Sequence, residues 1–442
     1  MHPRLLTLAA VALLLAAPTG CRSRDKAPAL NRQATAPDPQ SPALKAAADG
    51  PRLGSVANVT PILEQPNPKA KILGYLHAGS TVARTQQAVS SEGCKGGWYA
   101  VYPKGFVCTG EAASLDLKHP TLLAMAMQPK LDAELPYTYA RTRDDTSYLE
   151  ASAKAEDSVR SLSELPRQSG LAVIGSWQAR DEKGSSLRLA MMTDGHFVDA
   201  EHLETNKAST FKGVQLDDQQ RLPLAFVVKR GVRQWEVGKN DARKGELLDY
   251  HARVMLDGKV RSVQGERFWA ARDGGWVRNR DVTVIQTRSE FPSFVQDDTR
   301  WIDVSVLAGS IVLYEGKRPV YASLVSVGQD RLGDPNGDEA TLRGEFPIVF
   351  KHVTAVAADP ARFANKVEMH DVPWVLELSS GQWLHGAYWH DRFGIEHGPG
   401  NIQLSPADAA WVWRWAGPAL PSGWHGIASD RTAAATIVNI RR

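Results

Sequence analysis

From about residue 53 onward the chain is a succession of short apolar runs broken by Gly and Pro, and few windows sustain the 3.6-residue period of an amphipathic helix. Residues 55–59, 71–76, 80–83 and 98–102 read as strands between turn residues. Residues 187–198 and 268–277 share one pattern: a strand, a Gly turn (Asp194-Gly195 or Asp273-Gly274-Gly275), an aromatic residue and a Val. Each continues through a short step that contains an acid and ends at Leu203 or Val282. Self-similarity of this kind argues for repeated small β units over about 135–295, with 222–228 and 253–256 as further strands. A helix is expected at 148–163, where Ala, Glu and Lys dominate. Another begins at Ser405, which can cap, with Pro406 suited to the first helical position. Near the C-terminus, 311–320 reads as a hairpin whose second strand continues to 328, and 350–352 and 371–375 read as strands. The fold class expected is mainly β and multidomain, with a few helices.

At 442 residues, with 43% hydrophobic and 23% charged content, the chain can bury more than one core. Its net charge of +3 comes from interspersed rather than blocked charges, which gives no footprint for a nucleic-acid partner. Arg4, the apolar stretch 5–17 and Pro18-Thr19-Gly20-Cys21 resemble a lipoprotein-type signal peptide over 1–20, with Cys21 as the lipidated first residue. Pro18 stands where Leu is usual, which leaves cleavage by an ordinary signal peptidase as the alternative. That apolar stretch is too short for a conventional span, and no later segment reaches about 18 uninterrupted apolar residues. A lipid anchor at Cys21 would place the protein in the cell envelope or periplasm, and Arg22 after it favours the outer membrane in a two-membrane bacterium. Residues 21–52 are rich in Ala, Pro, Asp, Gln and Lys with almost no aromatics, the composition of a disordered tether. The chain has three cysteines, and once Cys21 is set aside Cys94 and Cys108 remain as a pair in an exported setting. The turn residues Gly96-Gly97 and Pro103-Lys104-Gly105 between them favour one disulfide over two buried thiols.

The strand pattern over 53–115, and above all its closing hairpin from Trp98 to Cys108, resembles a bacterial SH3-like barrel. Residues 116–295 are expected to hold middle β modules of the same SH3-like kind. The resemblance implies either contact with wall peptides or a structural role.

Residues 296–442 carry the most informative motif. The pair His385-Gly386 is followed by Asn401 within Gly398-Pro399-Gly400-Asn401-Ile402-Gln403. This frame resembles the active-site segment of the L,D-transpeptidase (YkuD-type) family, where a His-Gly pair precedes a cysteine nucleophile in Ser-His-Gly-Cys-x-Asn by the same step that separates His385 from Asn401. From 301 to 427 the order of motifs also matches, including Thr341-Leu342-Arg343-Gly344-Glu345-Phe346 where the family has Thr-Pro-x-Gly-x-Phe. The resemblance implies a fold built for exchange of peptide bonds in peptidoglycan through an acyl-enzyme. That chemistry needs a thiolate, a base and oxyanion donors. The carboxamide of Asn401 neither ionises nor attacks usefully, and Pro399, at the family's histidine position, has neither a base nor an N–H. Gln403 replaces the family's Asn with a longer amide, while His385, Gly386 and Gly400 are retained.

No intact catalytic set is therefore expected. Ser405 is better placed as a helix cap than as a nucleophile, and no Gly-x-Ser-x-Gly turn occurs in this region. His385, His390 and His397 lie close in sequence but match no His-Glu-x-x-His spacing, so neither a metal nor a cofactor is expected. Trp374, Trp383, Trp389, Trp411, Trp413, Trp415 and Trp424 are candidates for packing between domains or for holding a glycan. The function expected is that of an exported, inactive member of the family, bound to peptidoglycan or its wall peptides or to envelope protein partners. The alternative is an active transpeptidase or hydrolase using non-standard groups.

Overall fold

A computed structural model describes residues 45–152, 158–180, 184–328, 339–356, 367–430 and 435–442. The expected signal peptide, the expected lipidation site Cys21 and most of the expected tether lie outside the described residues. The architecture is mainly β, in line with the strand pattern of the sequence, with helices at Pro120–Ala124 and Pro406–Trp415.

Three consecutive modules share one strand order. The first comprises Arg52–Ser55, Thr60–Leu63, Ile72–Leu76, Thr81–Ala83, Trp98–Ala100, Phe106–Cys108 and Ala113–Ser114. The second runs from Thr138–Thr142 to Leu203–Thr205, and the third from Leu224–Val227 to Val282–Ile285. Counting strands along each module, the spatial order is third, second, sixth, fifth, fourth, first, seventh. In the first module the link between fourth and fifth strands is a bridge from Arg84 to Val101. The two repeated sequence patterns fall on the fifth and sixth strands of the second and third modules, Ser186–Met192 with Phe197–Asp199 and Glu266–Ala271 with Trp276–Arg278. Cys94 and Cys108 form a disulfide, which ties the sixth strand of the first module to the loop before its fifth.

The helix expected at 148–163 is overturned. Thr146–Ala151 and Val159–Leu165 are paired antiparallel strands, with Glu150 opposite Arg160 and ion-paired to it at 2.6 Å. Helix-forming composition yields here to cross-strand pairing and burial of Tyr148 and Leu165. Residues 55–59 are likewise not one strand. The Ser55 hydroxyl donates to Ala57 O (2.9 Å) and meets Thr60 Oγ1 (2.7 Å), bending the chain between two strands.

In the C-terminal part the hairpin Ser310–Glu315 with Arg318–Leu324 continues through Arg300–Ser305 to the last strand, Ile437–Arg441, which runs parallel to Arg300–Ser305. The twelve-residue strand Gly344–Ala355 then pairs in succession with Ile437–Arg441 and with Gly426–Ala428, and on its other side with Val372–Leu378. Gly426–Ala428 is also paired, through Gly74–Ile427 and Tyr75–Gly426, with the third strand of the first module. Trp424 and Ile427 accordingly complete the core of that module beside Leu53, Ile62, Leu76 and Val107.

The helix Pro406–Trp415 starts as expected, with the Ser405 hydroxyl accepting from Asp408 N–H and Pro406 in the first turn. Its other end is held by a buried cation. Lys351 donates from Nζ to Trp413 O (2.8 Å) and Ala416 O (2.6 Å) and lies over the Trp413 ring. Unpaired helix-end carbonyls attract a cation, which offsets part of the cost of burying the amine. Burial nevertheless pulls the Lys351 pKa down to about 7. Of the seven candidate tryptophans, Trp374, Trp413 and Trp424 are buried and the others half-buried. Trp374 and Trp413 are buried against each other, and Trp411 stacks on Tyr321 at 4.1 Å.

Truncation of Lys351 removes the stem and leaves both helix-end carbonyls without a donor. Lys351→Ala is expected to lower the unfolding free energy by about 3 kcal/mol in urea titration, with Lys351→Met recovering the packing share of that loss. An unchanged midpoint for Lys351→Ala would show that the amine does not hold the helix end.

Candidate active site

The two halves of the 385–403 motif meet through parallel strands. Trp383–Gly386 pairs with Ile402–Leu404 in the register Leu384 to Ile402, His385 to Gln403 and Gly386 to Leu404. The intervening chain loops out and returns through a turn that glycine permits. Gly398 has φ +88°, and a Cβ there would stand 2.6 Å from Gln403 Nε2. Gly400 has φ +46°, and Asn401 N–H donates back to Pro399 O, closing the turn.

Inside this frame His385, Asn401, Gln403 and His390 each engage a neighbour. His385 is fully buried, its Nδ1–H donating to Gly386 O (3.0 Å) and its ring lying against Trp389 and the edge of Trp383. Burial takes its pKa down to about 4, so the imidazole is neutral at pH 7. Asn401 is 7% exposed, and its Oδ1 accepts the Trp383 N–H at 2.9 Å. The Gly400 carbonyl takes a hydrogen bond from the Gln382 amide, and the Gly400 N–H goes to Glu339 O (2.9 Å). The carboxamide at position 401 thus fastens the returning strand to its neighbour. His385 and Asn401 are both buried.

Gln403 bridges two imidazole-bearing segments. His390 Nδ1 accepts the Arg392 N–H (3.0 Å), so the ring proton sits on Nε2, which donates to Gln403 Oε1 (2.7 Å). The Gln403 amide in turn donates to His397 O (3.1 Å). Burial first, and then the neighbouring His397, His385 and Arg392, hold the half-buried His390 down to about 3, against the Gln403 bond, which raises it. His397, edge-on to His390 at 4.5 Å, is also lowered, by burial first and then by Arg392. Among the described residues no group of His, Cys, Asp or Glu is arranged to hold a metal ion. Ser405 is fully buried and capping.

Two features escape a reading by motif. A cleft of about 670 Å³ opens beside the segment, between its residues 389–397 and Arg230 and Tyr250 of the third module. Where the first and second modules meet the C-terminal strands, Asp371 is buried with Thr193 and Thr354 donating to its carboxylate, while Tyr139 OH donates to its carbonyl (2.7 Å). Thr354 Oγ1 also contacts His425 Nε2 (2.9 Å), whose ring packs on His77 at 4.7 Å. Asp371 has φ +50° and Trp374 φ +57°, conformations that non-glycine residues adopt only when their surroundings hold them. These groups come from distant parts of the chain, and no local pattern marks them.

The buried imidazoles set the acid response. In the unfolded chain His385 and His390 protonate near the usual 6.5, whereas the folded protein keeps them neutral down to about 4 and about 3. The unfolded state therefore binds more protons below 6.5, and stability, complete above that value, falls as the pH is lowered. Urea titrations at pH 7, 6 and 5 are expected to show a loss that steepens to about 1.4 kcal/mol per pH unit for each such imidazole. A profile flat from 7 to 5 would mean that these rings are accessible to protons in the folded state.

Residues 299–432 match the family model YkuD, the L,D-transpeptidase catalytic domain. No curated protein matches the chain. Similar solved structures include an L,D-transpeptidase from Xylanimonas cellulosilytica, at 16% identity over 34% of this chain and 65% of that one, TM-score 0.23. They also include a mutant L,D-transpeptidase from Enterococcus faecium (14% identity, 36% and 55% covered, TM-score 0.25) and an L,D-transpeptidase from Mycobacterium smegmatis (13%, 52% and 88%, TM-score 0.25). The chain spans 65% and 55% of the first two, and superpositions at these scores carry no argument about chemistry. By its sequence match, the segment 299–432 is a domain of the YkuD type, the L,D-transpeptidase catalytic domain.

Proposed function

We propose that the chain is an exported cell-envelope protein whose L,D-transpeptidase domain recognises peptidoglycan without catalysing its crosslinking. The observation that carries this reading is Asn401, a carboxamide at the family's nucleophile position whose oxygen is committed to the Trp383 N–H. Acyl transfer needs a nucleophile and a base at this place. Pro399 supplies no base, and His385 is buried, neutral and bonded to Gly386 O. Gln403, in the last position of the degenerate motif, engages both ends of its amide with His390 and His397.

Three modules of one strand order support the reading of SH3-like units strung before the domain. Repetition favours a polymeric partner, since linked weak contacts gain avidity without any single strong one. The Cys94–Cys108 bridge supports an oxidising compartment outside the cytoplasm. In this reading residues 1–20 direct export, Cys21 carries a lipid, the region up to 52 spans the distance to the wall, and envelope proteins are additional partners.

The chain from Arg22 onward, incubated with tetrapeptide muropeptides, is expected to give no 3–3 crosslinked product and no exchange of the terminal amino acid. In parallel it is expected to pellet with insoluble sacculi at low salt. Turnover that His385→Ala abolishes would overturn the inactive reading, and absence from the sacculus pellet would overturn wall recognition.

A further inference from the structure

The cleft between the third module and the C-terminal domain has the composition of a binding site for a carboxylate. On the module side the Arg230 guanidinium lies 4.5 Å from the centre of the Tyr250 ring, and Tyr250 OH donates to Asp391 O (3.2 Å), joining the two walls. On the domain side stand Trp389, Arg392 and Ile395, the last 41% exposed. The acid in the cleft, Asp391, is already engaged: the Ser209 hydroxyl donates to Oδ1, and His251 Nδ1 lies 3.6 Å from it. Among the described residues neither Arg230 nor Arg392 has an acidic partner, although both are exposed. The cleft therefore presents two permanent cations against one acid, Asp391, beside aromatic and aliphatic surface.

Guanidinium groups hold carboxylates through paired N–H donors, and an adjoining aromatic face accepts the apolar part of the same ligand. We propose that this composite cleft binds the carboxylate of a short wall peptide, with Arg230 and Arg392 pairing to the anion and Tyr250, Trp389 and Ile395 receiving the peptide's apolar surface. The inference rests on the wall-recognition reading and gives it a ligand chemistry and a location. It also assigns a role to a module outside the matched domain, since half of the charge comes from Arg230.

Titration calorimetry of the chain from Arg22 onward tests it, with a disaccharide tetrapeptide and the same compound with its carboxylates converted to amides. The acid form is expected to bind about tenfold more tightly than the amide, as the loss of a charge-assisted pair implies. The double variant Arg230→Gln, Arg392→Gln is expected to bind both forms at the weaker level, with an unchanged Tm because both side chains are on the surface. Equal binding of the two compounds by the unaltered protein, or retention of the preference by the double variant, would overturn the inference. Sacculus pelleting is scored separately. Protein that pellets but ignores the carboxylate refutes the cleft alone, whereas protein that neither pellets nor titrates refutes wall recognition with it.

Discussion

The junction between the first module and the C-terminal strands leans on the backbone pairing of one short strand, Gly426–Ala428, which is bonded on both sides. One edge meets Phe350–His352 and the other meets Gly74 and Tyr75 of the first module. A strand so short contributes little by itself, but unpaired buried amides and carbonyls would be costly, so its two neighbours are held in fixed register. Gly74 and Gly426 have no side chain because none fits: a Cβ on Gly74 would lie 2.3 Å from Gly426 O, and one on Gly426 2.2 Å from the Tyr75 ring. The same pairing delivers Trp424 to the first module's core and His425 to the buried cluster around Asp371. Packing, sheet register and the polar junction thus follow from one contact between segments near opposite ends of the polypeptide.

The motif region follows the same logic in its chemistry. The polar groups of the motif are turned inward, toward Trp383 N–H, Gly386 O, Arg392 N–H and His397 O. Low dielectric strengthens each of these bonds and makes charging any member expensive. The segment is consequently stiff and neutral, while its polar margin, Arg392 with the neighbouring Arg230, stays in water.

Much of this was legible in residue order. Gly and Pro punctuation located the hairpins, because a turn needs those residues whatever the tertiary context, and the repeated Gly-turn pattern fell on equivalent strands of two modules. Ser405 and Pro406 announced a helix start whose capping depends only on local geometry. The segment 148–163 misled because Ala, Glu and Lys favour a helix in isolation, and only pairing with strands elsewhere decides otherwise. For the site, the count from His385 to Asn401 spans two strands that the fold places side by side, but the inward engagement of their side chains depends on the pairing of Trp383–Gly386 with Ile402–Leu404. Arg230, Tyr250 and His77 carried no signal, and Asp371 was legible only as the start of a strand, since proximity in space is what joins these residues to one another.

The position of the final strand has a further consequence. Ile437–Arg441 lies outside the 299–432 match, yet it sits in the middle of the sheet between Arg300–Ser305 and Gly344–Ala355. It brings Asn439 and Arg441 to Asp303, a buried acid that also pairs with Arg288. Ancestry and mechanics therefore draw different borders on this polypeptide: a fragment cut at the limits of the family match would have a gap through its central sheet and a carboxylate stripped of Arg288, Asn439 and Arg441 alike.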